Sequence, residues 1–144
     1  MMTYEEIIAH DLRHTAIHEA GHLVVLIELG GSGYIRLAEK KDNDLVNHCA
    51  YSGKTYIMDP LKTDDDMRVM ALAGEIAVLL DNDPDIQPDE VIEHFEMESD
   101  TISDTDKAHG ITYEAVEQAL EILKRCWSDV LHHAENEVSK EATQ

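Results

Sequence analysis

The sequence predicts a mainly α-helical α+β fold, in which a small antiparallel β-sheet follows the first long helix. Hydrophobic residues make up 43% of the 144 residues and aromatic residues only 5%, which indicates one aliphatic core. Apolar side chains recur with helical periodicity towards both ends of the chain, whereas the segment after Gly30 alternates as β-strands do. We therefore predict a single domain over residues 1–144.

The first half of the chain is predicted to be helix followed by strands. Thr3 and Glu6 form a capping box for an N-terminal helix, which ends near Ala9 or merges with the next helix. That next helix spans about 12–29 and stops at a glycine-rich turn over 30–33. Three segments then favour strands, with turns at 40–44 and 52–53 between them: 34–38, 45–51 and 54–58.

The second half is predicted to be helical. Thr63 or Asp64 caps a helix that continues to Leu80. This helix is apolar on nearly all sides, so we expect it to be the central buried helix. The features predicted beyond it are a polar loop at 81–88, a short helix at 89–97, a helix that opens at Asp104 and is interrupted at Gly110, and a long helix over about 112–139.

The helix at 12–29 carries the motif His18-Glu19-Ala20-Gly21-His22. Side chains four residues apart lie above one another on a helix, so two imidazoles can bind one Zn²⁺ at roughly 2.0–2.1 Å. Glu19 lies one step round the helix, where it flanks the metal and can take a proton from activated water. A glycine at position 21 indicates that another backbone passes close to this helix. The motif therefore predicts a zinc site that activates water.

Residues 16–22, Ala-Ile-His-Glu-Ala-Gly-His, resemble the zinc-binding helix of the FtsH-type ATP-dependent zinc metalloproteases. Residues 70–74 and 103–108 resemble that family's Leu-Ala-Gly and Asn-Asp-Leu-Glu-Arg-Ala segments, in the same order. The resemblance implies a zinc-metalloprotease-like helical domain that hydrolyses peptide bonds with Zn²⁺ as its cofactor. The roles it implies are zinc ligand for His18, His22 and Asp104, and general base for Glu19.

The third ligand stays open when the residues alone are considered. Its candidates besides Asp104 are Asp100, Asp106, His109 and Glu75. Glu75 and Asp106 are also candidates to accept a hydrogen bond from the second ring nitrogen of a ligand histidine. His14 and His18 form a rival metal pair, although Thr15 stands where that pair would need its glutamate. We expect the remaining histidines of interest to lie at the surface: His10, His14, His132 and His133.

Charge and composition restrict the partners. The 31 acidic and 11 basic residues give a net charge of −20, which opposes binding to nucleic acid. No apolar run approaches the length of a membrane span. We expect a polypeptide substrate that pairs with the strand at 46–51, and we leave a homo-oligomer or a partner ATPase open. Two distant cysteines, Cys49 and Cys126, and a start unlike a signal peptide predict free thiols and a cytoplasmic location.

The chain departs from the family after Gly74. Val78 and Leu79 stand where the family has two glutamates, and no phosphate-binding motif of an ATPase occurs in the sequence. We therefore expect a peptidase that acts on flexible or unfolded polypeptide without its own motor. The alternatives are a non-catalytic zinc-binding relative that serves as a regulatory or interaction subunit, and a helical protein that binds no metal.

Overall fold

A computed structural model of the protein describes residues 3–44, 49–97 and 110–142. Within these ranges the chain forms five helices and a two-stranded antiparallel sheet, which confirms the predicted mainly helical α+β class. The elements in chain order are α1 (Tyr4–Glu28), β1 (Ser32–Asp44), β2 (Cys49–Asp59), α2 (Asp64–Asn82), α3 (Pro88–Met97), α4 (Tyr113–Arg125) and α5 (Trp127–Ala142). Across the described ranges, none of the helices has the length and apolar character needed to cross a membrane.

Helix α1 is one continuous helix, so the two helices predicted at the N-terminus merge. The hydroxyl of Thr3 accepts a hydrogen bond from the amide of Glu6 at 3.2 Å, as the predicted N-cap requires. At the other end, the amides of Gly30 and Gly31 donate to carbonyls of the last turn at 3.0 and 2.9 Å. Gly30 has a φ of 101°, which a residue with a Cβ rarely adopts, and it ends the helix.

Strands β1 and β2 form a hairpin that packs on α1. The turns predicted at 40–44 and 52–53 are wrong, because both segments belong to strands. Backbone pairing does not depend on side-chain polarity. It is regular from Gly33 opposite Ile57 to Glu39 opposite Tyr51, and after an irregularity Asp44 pairs with Cys49. A Cβ at Gly53 would lie 2.8 Å from Cγ of Glu19, so this glycine permits a close approach to α1 and does not mark a turn. Of the strand predicted at 45–51, residues 45–48 lie outside the described ranges.

Helix α2 is the central helix, as predicted, and packs against both α1 and α4. It begins where the hydroxyl of Thr63 accepts from the amide of Asp66 at 3.1 Å. The core around it is aliphatic, and each large side chain removed from water contributes about 1.5–3 kcal/mol. The most deeply buried large side chains of this core include Ile17, Leu26, Leu72, Ile76 and Leu123.

The prediction of one long C-terminal helix over 112–139 is wrong in one respect. The structure has two helices there, α4 and α5, which are divided at Cys126. Helix α4 packs mainly on α2 and α3, whereas α5 packs mainly on α1, so the two helices cover different parts of the core. No glycine or proline marks this division in the sequence. Gly110 lies just before α4 with a φ of 84°. The helix predicted to open at Asp104 lies outside the described ranges.

Candidate metal centre

Two imidazoles from adjacent turns of α1 converge at one point. The Nε2 atoms of His18 and His22 lie 3.2 Å apart, and their rings meet edge to face with centroids 4.8 Å apart. Two ligand atoms bound tetrahedrally at 2.0–2.1 Å from zinc lie about 3.3–3.4 Å from each other. The separation of the two nitrogens is therefore close to the separation that a shared zinc ion requires.

The backbone of α2 sets the proton position on His22. Nδ1 of His22 lies 2.8 Å from the carbonyl oxygen of Met70, and a carbonyl can only accept, so Nδ1 donates. In the neutral ring this leaves the lone pair on Nε2, which is the atom that faces His18. Metal-binding histidines commonly make this kind of second hydrogen bond. For His22 the partner is thus the carbonyl of Met70, where the sequence suggested Glu75 or Asp106.

Gly74 on α2 makes room for the two imidazoles. A Cβ at this position would lie 2.7 Å from Nε2 of His18 and would also overlap the ring of His22. Only a residue without a side chain lets α2 pass this close to the ring nitrogens. On α1 itself, between the two histidines, a Cβ at Gly21 would lie 2.7 Å from the carbonyl oxygen of Ala73, so the close backbone predicted from Gly21 is that of α2.

Glu19 is buried beside the histidine pair without joining it. Its Oε2 atom lies 4.0 Å from Nε2 of His18. The hydroxyl of Thr55 on β2 lies 2.9 Å from Oε1 of Glu19 and 3.1 Å from its carbonyl oxygen, so its single proton is directed at two acceptors of one residue. The carboxylate therefore flanks the pair, as the motif predicts, and the hairpin holds it there.

Sequence reasoning missed Thr55 and Gly53 as parts of this site. Thr55 carries no local signal, because its role depends on β2 crossing α1 beside Glu19. Gly53 was predicted to mark a turn. A glycine within a strand can instead mark a close approach of the backbone to a neighbouring group, and that is its role here.

The described ranges provide two candidate nitrogen ligands, on His18 and His22. Over residues 3–44, 49–97 and 110–142, no group of three or more His, Cys, Asp or Glu side chains is placed to hold a metal ion. Asp104, the predicted third ligand, lies outside these ranges, as do three of its rivals: Asp100, Asp106 and His109. The fourth rival, Glu75, is buried on α2, and its Oε1 atom lies 3.2 Å from Nε2 of His94 on α3. The assignment of Asp104 thus stays a prediction.

The other histidines occupy different environments. His10 and His14 are exposed, as predicted, with ring centroids 6.2 Å apart. His132 is exposed as well, but His133 is half-buried, and burial lowers the pKa of its ring. Their placement does not join them to the His18 and His22 pair.

The donor set fits zinc on three counts: the separation of the two nitrogens, the proton position on His22, and the space left by Gly74.

Compared with known proteins, the chain matches no family model and no curated protein.

Proposed function

We propose that the chain is a zinc-dependent endopeptidase of the kind implied by its resemblance to the FtsH-type proteases. One observation carries the proposal: the two Nε2 atoms of His18 and His22 meet at 3.2 Å with a buried carboxylate, Glu19, 4.0 Å from one of them. A carboxylate in this position can take the proton of a water molecule activated at the histidine pair.

His18 and His22 would hold the zinc ion through Nε2, and Asp104 is proposed as the third ligand. Bound there, zinc would supply Lewis acidity, polarising a carbonyl group and making water easier to deprotonate. The lone pair that His22 presents is fixed by its hydrogen bond to Met70. Gly74 leaves room for both imidazole rings against the backbone of α2.

Glu19 acts as the general base in this proposal. Its carboxylate accepts the proton of the attacking water and passes it to the leaving amine. Thr55 holds Oε1 of Glu19, so Oε2, the oxygen nearer His18, is the one directed to the reaction. The base is thereby oriented by a strand as well as by its own helix.

The substrate proposed is a flexible or unfolded polypeptide. Strand addition needs an extended backbone with unpaired amides and carbonyls. Strand β2 passes Glu19 at Gly53 and Thr55, which places strand backbone next to the proposed base. A cytoplasmic setting agrees with the free thiol of Cys126, because reducing compartments preserve thiols.

The test compares Glu19→Gln with the parent on an unstructured fluorogenic polypeptide, with zinc content measured on the same samples. We expect zinc to be retained and the rate to fall by about 10²–10⁴-fold. Glu5→Gln makes the same chemical change at an exposed position of α1 and should leave the rate unaltered. Equal rates for Glu19→Gln and the parent would refute the assigned base. A parent that retains zinc but cleaves nothing would instead indicate the non-catalytic zinc module.

A further inference from the structure

Among the exposed side chains on the outer face of the hairpin, four lie next to one another: Tyr34, Arg36, Lys54 and Tyr56, which we call the outer hairpin face. Alternation along the strands separates them from the inner face. There, Ile35 is buried in the core and Thr55 contacts Glu19. The outer hairpin face therefore points away from the metal centre.

The four side chains form an ordered block. Tyr34 stands directly opposite Tyr56, and their rings stack with centroids 5.1 Å apart and planes 11° apart. Arg36 stands directly opposite Lys54. The Cζ atom of Arg36 lies 5.4 Å from the ring centroid of Tyr34, and Nζ of Lys54 lies 5.0 Å from that of Tyr56. Each cation is thus held against a ring at cation–π distance.

The two cations lack a carboxylate partner within the described part of the chain. Other cations there pair with acidic side chains, among them Arg13, Arg68, Arg125 and Lys140. Neither Arg36 nor Lys54 makes such a pair with any described residue. Like charges directly opposite one another on a sheet are destabilising. An anion bound between Arg36 and Lys54 would reduce the repulsion between them.

The charge of the hairpin differs from that of the remaining chain. Residues 32–59 contain four basic and four acidic residues, so the net charge of −20 arises entirely outside the hairpin. Exposed charges separated by more than about 8–10 Å are largely screened at physiological salt, so an acidic ligand on this face experiences mainly Arg36 and Lys54. The outer hairpin face is therefore complementary to negative charge even though the protein is strongly acidic.

We propose that the outer hairpin face is a docking surface for an acidic polypeptide segment. Carboxylates of that segment bind between Arg36 and Lys54, and its apolar or aromatic side chains pack on Tyr34 and Tyr56. Arginine accepts a carboxylate through two parallel hydrogen bonds, and tyrosine offers a rigid apolar surface with a polar tip. Nucleic acid is the poorer ligand, because two cations neutralise few of its closely spaced phosphates.

The experiment measures binding of a short fluorescein-labelled peptide of alternating glutamate and tyrosine by fluorescence anisotropy. We expect salt-dependent binding to the parent protein, and binding about tenfold weaker or more in Arg36→Gln/Lys54→Gln. The matched control is Arg125→Gln/Lys140→Gln, which removes the same charge from exposed cations that already pair with glutamates. This control should bind as the parent does.

Three outcomes would overturn the proposal: equal affinity of Arg36→Gln/Lys54→Gln and the parent, equal binding of a peptide with glutamine in place of glutamate, or tighter binding of a single-stranded oligonucleotide. Should the double variant fail to fold, NMR titration of the parent protein decides instead. The ring signals of Tyr34 and Tyr56 should then shift more than those of Tyr4 and Tyr113, which are exposed on helices. Shifts of equal size would contradict the docking surface.

Discussion

The hydroxyl of Thr55 donates to the carboxylate of Glu19 across the junction of β2 and α1, with 2.9 Å between Oγ1 and Oε1. The same hydroxyl lies 3.1 Å from the carbonyl oxygen of Glu19, so it contacts the side chain and the backbone of one residue. A buried carboxylate without such a donor would lose a stabilising contact and a fixed orientation. Thr55 is therefore a positioning residue for the proposed base.

Replacing Thr55 with valine keeps a β-branched side chain of similar shape and removes the donor. We expect kcat for peptide hydrolysis to fall about 10–100-fold, because a displaced base loses its alignment with water. KM and zinc content should be unchanged, which separates this effect from loss of binding or of fold. Thr55→Ser restores a hydroxyl and should recover most of kcat. An undiminished kcat in Thr55→Val would show that Glu19 is positioned by other contacts.

Adding a methyl group at Gly74 should disturb the metal centre. The new Cβ would overlap the ring nitrogens of His18 and His22, which must then rotate or move away from α2. We expect zinc affinity, measured by competition with a chromogenic chelator, to fall roughly 10–100-fold in Gly74→Ala.

Loss of helix cannot explain that result, because alanine is favoured over glycine within a helix by about 1 kcal/mol. The control Val78→Ala changes the same helix one turn further on and should retain zinc affinity. Unchanged affinity in Gly74→Ala would mean that the close approach of α2 is irrelevant to the metal.

The thiol of Cys126 should be unreactive at neutral pH. Burial, followed by the hydrogen bond from Sγ to Oε1 of Glu28 at 2.9 Å, raises the pKa of this thiol to about 11. Only the thiolate reacts with iodoacetamide, so the rate should remain low near pH 7 and rise until the pH passes about 11. The measurement uses the Cys49→Ser background, so that Cys126 alone can be alkylated.

Glu28→Gln removes the negative charge beside the sulfur, which lowers the pKa of Cys126 and should speed alkylation at pH 8. Glu121→Gln, at an exposed glutamate on α4, serves as its control and should react as slowly as the Cys49→Ser background. If Glu28→Gln also reacts no faster, the carboxylate does not contribute to the raised pKa.

Local sequence signals predicted the elements that depend on local chemistry. Thr3 and Thr63 cap α1 and α2 as expected, because an N-cap uses only its own next turn. The motif placed His18 and His22 on one face for the same reason. The division at Cys126 escaped prediction, because it depends on which core surface each C-terminal helix covers.

The site itself was predictable only where a single helix supplies it. Glu19 and the two histidines follow from spacing along α1, whereas Thr55 and the carbonyl of Met70 come from β2 and α2. Their contacts depend on how three elements pack, and no spacing in the sequence encodes that packing. Gly74 lay within a segment that resembles the FtsH-type family, but its contact with both imidazoles became evident only from the packing of α2 on α1.

Isothermal titration of the metal-free protein with zinc examines the His18 and His22 pair without any substrate, by comparing the parent with His22→Ala and His14→Ala. We expect tight stoichiometric binding by the parent and by His14→Ala, and loss of that binding in His22→Ala. Retention of tight binding in His22→Ala together with its loss in His14→Ala would assign the metal to the His14 and His18 pair. That result would contradict the zinc site proposed at His18 and His22.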